Sequence, residues 1–152
     1  QKMFGRIDTF KEFKQNINKA MISEYIQVIK DTSENAAKNF IPPIEFIFID
    51  GAHEYKFVSK DIKLWFPKVI NGGILAFHDS WHLAGPNLAT ALLLLFSFKI
   101  RKPKLIRTIT YFEKTERNSL IDRIGNAIFV VHRTLFGTIE FLKSKCEGSK
   151  II

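Results

Sequence analysis

Two aspartates, Asp50 and Asp79, each stand at the end of a short apolar run. Ile44–Ile49 reads IEFIFI and ends at Asp50-Gly51, and Ile74–Phe77 ends in His78-Asp79-Ser80. Near-continuous apolar runs of this length mark strands buried on both faces, as parallel strands are. A strand–helix–strand crossover is right-handed and makes its two strands parallel, so both carboxylates fall on one edge of the sheet. If the strands are neighbours, the two ends lie about 5 Å apart, at the edge where open α/β sheets bind ligands. Two carboxylates so close repel, and a cation, a shared proton or a nearby histidine must compensate. Three of the four histidines, His53, His78 and His82, flank these aspartates. Such a group suits a divalent metal or proton movement near neutral pH. A blander use stands beside it: the aspartates cap the helices that follow, and strand alternation turns His78 away from Asp79.

The elements that must position these residues can be read from the spacing. Thr9 and Glu12 form a capping box, and Phe10, Phe13 and Ile17 carry a first helix to about Met21. Tyr25–Ile29 is short and β-branched and predicts a strand. Asp31–Glu34 opens a short helix that runs to Phe40 and is stopped by Pro42-Pro43. A helix from Tyr55 to Val69 follows the Asp50 strand, and Asn71-Gly72-Gly73 predicts a turn before the next one. Leu88–Phe98 predicts an apolar helix. Lys104–Tyr111 and Asn126–His132 predict an antiparallel hairpin at one edge, with Glu113–Asp122 as a loop between them. Leu135–Lys145 predicts a last helix.

The reading is one α/β domain in three stretches: a helix–strand–helix lead-in over 1–40, a central βαβα unit over 41–100, and a hairpin with a helix over 101–152. The 46% hydrophobic and 25% charged composition suits a globular chain. A single cysteine, Cys146, is compatible with a reducing cytoplasm. Leu88–Phe98 is far shorter than the roughly 20 residues of a membrane span. The net charge of +8 invites nucleic acid as a partner, yet the basic residues are scattered and no nucleic-acid motif orders them, so solvated faces explain the charge better.

From Asp50 to Asp79 the chain carries D-G-x-H-x-Y (Asp50, Gly51, His53, Tyr55), then D-x-x-x-W-x-P (Asp61, Trp65, Pro67), then G-G-x-x-x-F-H-D (Gly72, Gly73, Phe77, His78, Asp79). This series resembles a family of class I S-adenosylmethionine-dependent methyltransferases, and the similarity extends from about Asp8 to Ser80. The resemblance implies a Rossmann-like, mostly parallel sheet with an antiparallel C-terminal hairpin, in which the two runs are the fourth and fifth strands. It implies S-adenosylmethionine as cofactor, with Thr32 and Ser33 touching the adenine and Asp50 and Gly51 at the cofactor. By likeness to the metal-dependent O-methyltransferases it implies a divalent cation such as magnesium at Asp50, Asp79 and Ser80. Ser80 stands where that group has Asn and is the poorer ligand. The implied chemistry is methyl transfer to the hydroxyl of a small molecule or sugar, with His53 as base and Asp79 beside it.

The glycine-rich loop and the ribose-binding acid of that family are not found, and Gln1 falls where the loop after the family's second strand would be. The expectation is therefore a C-terminal portion lacking the first two strands. The Tyr25–Ile29 strand then has no obvious neighbour, and the edge of the Ile44–Ile49 strand is bare. With the apolar Leu88–Phe98 helix, this predicts a homo-oligomer. A second functional class follows: a non-catalytic α/β remnant that binds a protein partner through its open edge.

Overall fold

A computed structural model describes residues 9–148, with side chains described from residue 9 to Leu135. The chain forms two compact units, Gln1–Thr32 and Ser33–Ile152, and their boundary falls inside the stretch read as the lead-in. In the first unit α1 spans Thr9–Lys19, followed by a single 3-10 turn at Ser23–Tyr25. The strand expected at Tyr25–Ile29 does not form, and Val28 and Ile29 are exposed. A β-branched run becomes a strand only where a neighbouring ladder takes its N–H and C=O groups. The described residues of this unit offer none.

In the second unit α2 (Ser33–Asn39) leads through Pro42-Pro43 into β1 (Ile44–Ile49). Then come α3 (Tyr55–Trp65), a 3-10 turn at Phe66–Lys68, β2 (Val69–Phe77) and α4 (Ala84–Phe96). The sheet order is β1-β2-β4-β3, with β3 at Ile100–Ile106 and β4 at Ile109–Lys114. β1 and β2 pair in parallel, Ile49 opposite Phe77, as the two runs predict. The other two pairings are antiparallel, so the sheet is mixed.

Three expectations give way. Asn71-Gly72-Gly73 is not a turn before the strand but an irregularity inside β2, where the register with β1 shifts and Gly72 takes φ +86°. The hairpin is β3–β4, closed by Arg107 and Thr108, with Arg107 at φ +53°. A positive φ at the first central residue suits a two-residue turn, usually signalled by glycine or asparagine; neither marks it here. Asn126–His132 is not a strand but part of α5 (Leu120–Gly148). Among the described residues its Asn126, Val130 and Arg133, at helical spacing, are the ones it buries.

The core lies between the sheet and α3, α4 and α5. Leu75, Phe77 and Phe112 are its centre, with Phe77 and Phe112 stacked at 5.4 Å between ring centroids. β1 is not buried on both faces as expected, since Phe46 is 61% and Phe48 44% exposed. It is an edge strand, and among the described residues no strand pairs with its outer side.

Candidate active site

The carboxyl ends of β1 and β2 bring the acidic and imidazole groups together. The His78 amide donates to the Ile49 carbonyl at 3.0 Å, which continues the parallel ladder one residue past β2. Asp79 then takes φ +50°. That left-handed residue breaks the strand alternation, so Asp79 and His78 do not point apart: His78 Nδ1 lies 3.4 Å from Asp79 Oδ2 and 3.1 Å from Asp50 Oδ1. His53 Nε2 reaches Asp79 Oδ2 at 3.5 Å, and His82 Nε2 reaches Asp79 Oδ1 at 3.6 Å. Asp79 is the hub, with a side chain only 17% exposed.

Neither aspartate is a helix cap. The N-cap of α3 is Glu54 and that of α4 is Leu83. Among the described residues, the ion pairs of Asp50 and Asp79 are with histidines alone. Among the described residues no lysine or arginine pairs with either aspartate. His78 Nδ1 is buried without a well-formed hydrogen bond. Asp50, His53 and His78 can each turn one donor atom to within 4.8 Å of the others. The 3.1 Å between Asp50 Oδ1 and His78 Nδ1 suits two ligands each about 2.1 Å from a single ion. This donor set fits a divalent cation.

Ser80 does not join that set. It is buried, its Oγ accepts the Thr110 amide at 2.8 Å, and its own amide donates to the Thr108 carbonyl at 3.1 Å. The hydroxyl ties the end of β2 to the hairpin. Ser33, at the start of α2, donates to Asp61 Oδ1 at 2.5 Å and accepts from Trp65 Nε1 at 2.8 Å. Ser33, Phe46, Phe48, Asp50, Gly51 and Trp65 line an open cleft of about 490 Å³ along β1. Thr32 belongs to the first unit, where its amide donates to Asp31 Oδ1 at 2.7 Å.

One residue escapes a reading of the sequence. Gly85, in the first turn of α4, lies against the backbone of the His53–Tyr55 segment. Only a residue without a Cβ permits that approach. The Gly85-Pro86 pair marks a helix start, but nothing in the spacing says what the glycine meets.

Residues 4–80, half of the chain, match a family described as "Methyltransferase domain". Among solved structures, an rRNA methylase from Streptococcus thermophilus is similar with a TM-score of 0.58 at 14% identity, covering 73% of this chain and 70% of that one. CalS11, a TDP-rhamnose 3'-O-methyltransferase of calicheamicin biosynthesis, gives 0.53 at 16%, covering 72% of this chain and 54% of that one. MycE, a methyltransferase of the mycinamycin biosynthetic pathway solved with Mg and SAH, gives 0.49 at 17%, covering 66% of this chain. The chain spans 36% of the length of MycE. At these identities the likeness concerns the fold.

Proposed function

Because the chain belongs to the class I S-adenosylmethionine-dependent methyltransferase family, we propose that the cleft beside β1 receives S-adenosylmethionine and that the Asp–His cluster serves methyl transfer to a hydroxyl of a small molecule. The observation that carries this reading is the convergence of His53, His78 and His82 on Asp79 at the carboxyl end of the parallel pair, where His78 also meets Asp50, which lines the cleft with Gly51. A sheet end of this kind is where open α/β folds place their ligands.

In the proposed reaction the bound cofactor supplies an electrophilic methyl group on a sulfonium. His53 would take the proton that the acceptor hydroxyl gives up on methylation. Asp79 holds the His53 ring through Nε2 and stabilises the imidazolium that forms. Ser33 fixes Asp61 and Trp65 at the cleft wall and is assigned to the adenine end. Gly51 leaves room for the cofactor beside the backbone. These residues contribute alignment, which is worth much of the barrier in a two-substrate reaction.

A divalent ion, magnesium or another, would be held by Asp50 and His78, with Asp79 adjoining, which leaves His53 to act as the base. When bound it would favour the deprotonated acceptor. Ser80 would have to leave its hairpin bonds to take part. No described helix is long and apolar enough to cross a membrane. A cytoplasmic setting and assembly of several copies belong to the same proposal.

Ultraviolet crosslinking of methyl-tritiated S-adenosylmethionine tests the cofactor assignment. Label is expected in the tryptic peptide 39–56, which carries Phe46, Phe48, Asp50, Gly51 and His53, and excess S-adenosylhomocysteine should displace it. Label elsewhere, or label that the competitor leaves in place, contradicts the reading.

A further inference from the structure

α5 presents two faces of opposite kind. Asn126 and Arg133 are fully buried and fix the helix to the body. The Asn126 amide donates to the Ile100 carbonyl at 3.0 Å. Arg133 donates to Thr90 Oγ1 at 2.8 Å, Thr110 Oγ1 at 3.1 Å and the Asn87 carbonyl at 3.0 Å. The rotation of the helix about its axis is therefore set. On the far side Ile121, Ile124, Ile128, Val131 and Leu135 stand between 53% and 82% exposed.

Their spacing is three, four, three, four. With Ile121, Ile128 and Leu135 at a and Ile124 and Val131 at d, the buried Asn126 and Arg133 both fall at f, opposite the seam. A strict a/d stripe is the narrow seam that packs on another helix, whereas a helix covered by its own core shows a broader face. The flanking e and g positions are Leu120, Gly125, Ala127, His132 and Thr134, with no charged residue among them. For a chain of net charge +8, self-association is opposed by repulsion over most of the surface. Along this seam two copies meet no acidic or basic side chain at the flanks, and Gly125 and Ala127 allow close approach. A helix lying on a membrane needs a lysine- or arginine-rich polar side, and from Leu120 to Leu135 Arg123 is the one exposed basic residue other than histidine.

We infer that α5 is a homodimerisation helix, its Ile121–Leu135 seam packing antiparallel against the same seam of a second copy. Antiparallel pairing sets the two helix dipoles against each other favourably and leaves each body on the outer side of its own helix. The Ile121–Leu135 seam spans 15 residues and is about 22 Å long. Exposed Phe96 and Phe98 extend the apolar surface near the start of α5, where Arg123 lies 4.4 Å over the Phe98 ring. A seam of that length with such a border can reach the roughly 1,000 Å² in total that a specific interface needs.

Sedimentation equilibrium of the full chain, carrying Cys146→Ser to exclude oxidation, tests this at micromolar concentration. A dimer is expected. Ile128→Glu, at an exposed position, should weaken it by at least about 30-fold while leaving the far-ultraviolet circular dichroism unchanged. If that variant loses helix signal, Ile128→Ser in its place keeps the comparison. Crosslinking through Val131→Cys paired with Ile128→Cys should join two copies. A wild-type monomer, a dimer indifferent to both Ile128 variants, or a monomer that floats with phospholipid vesicles would each overturn the inference.

Discussion

A Cβ built on Gly85 would stand 2.0 Å from the His53 carbonyl oxygen and 2.6 Å from the Tyr55 amide nitrogen. The first turn of α4 thus rests directly on the loop that carries His53. Gly85→Ala must push that loop or the helix away, at a cost of about 1–3 kcal/mol, the usual penalty of overpacking. Urea unfolding should show the lower midpoint, and the His53 ring resonances should shift. An alanine variant of unchanged stability would mean that the two segments are not in contact.

Arg133 is the largest fully buried side chain among the described residues, and its hydrogen bonds go to neutral oxygens on α4 and β4. Burial pushes its guanidinium down to about 10. Arg133→Ala removes the donor and leaves Thr90, Thr110 and Asn87 short of partners in the core. The expected loss is about 3 kcal/mol or more, read as a fall in the urea midpoint. A loss under about 0.5 kcal/mol, the scale of surface changes, would show that the arginine is not held inside.

Glu113 on β4 accepts from Arg101 and, at 3.1 Å, from Lys102 on β3. The Arg101 hydrogen bond holds its carboxyl below the ordinary value of 4.5. A carboxylate with a lowered folded value contributes stability that is full above the unfolded value and is lost as pH falls through the folded one. Wild type should therefore lose more stability than Glu113→Gln between neutral pH and acid below 4.5. Parallel acid-unfolding curves for the two proteins would refute that coupling.

The site was more legible than the frame. Asp50 and Asp79 share a sheet end because two apolar runs, each ending in an aspartate, flank one helix, and a strand–helix–strand crossover makes its strands parallel. Strand alternation turns His78 away from Asp79, but the positive φ of Asp79 ends that alternation, a backbone event without a glycine to announce it. Asn126–His132 misled because Ile128, Val130 and Val131 are β-branched, while the residues that tie this stretch to the core are the polar Asn126 and Arg133, which hydrophobic periodicity does not count. Tyr25–Ile29 has strand composition but, among the described residues, no partner strand, and composition alone cannot supply one.

The central claim is that the cleft along β1 takes the cofactor. A nitrogen–proton correlation spectrum of the labelled chain, titrated with S-adenosylhomocysteine to millimolar concentration, addresses it without any need for the acceptor. The account predicts saturable shifts of the Ser33, Asp50 and Gly51 amides and of the Trp65 indole N–H, whose nitrogen bonds to Ser33. Shifts confined to the opposite groove at Phe98, Lys99 and Arg117, or no shift at all, would contradict it.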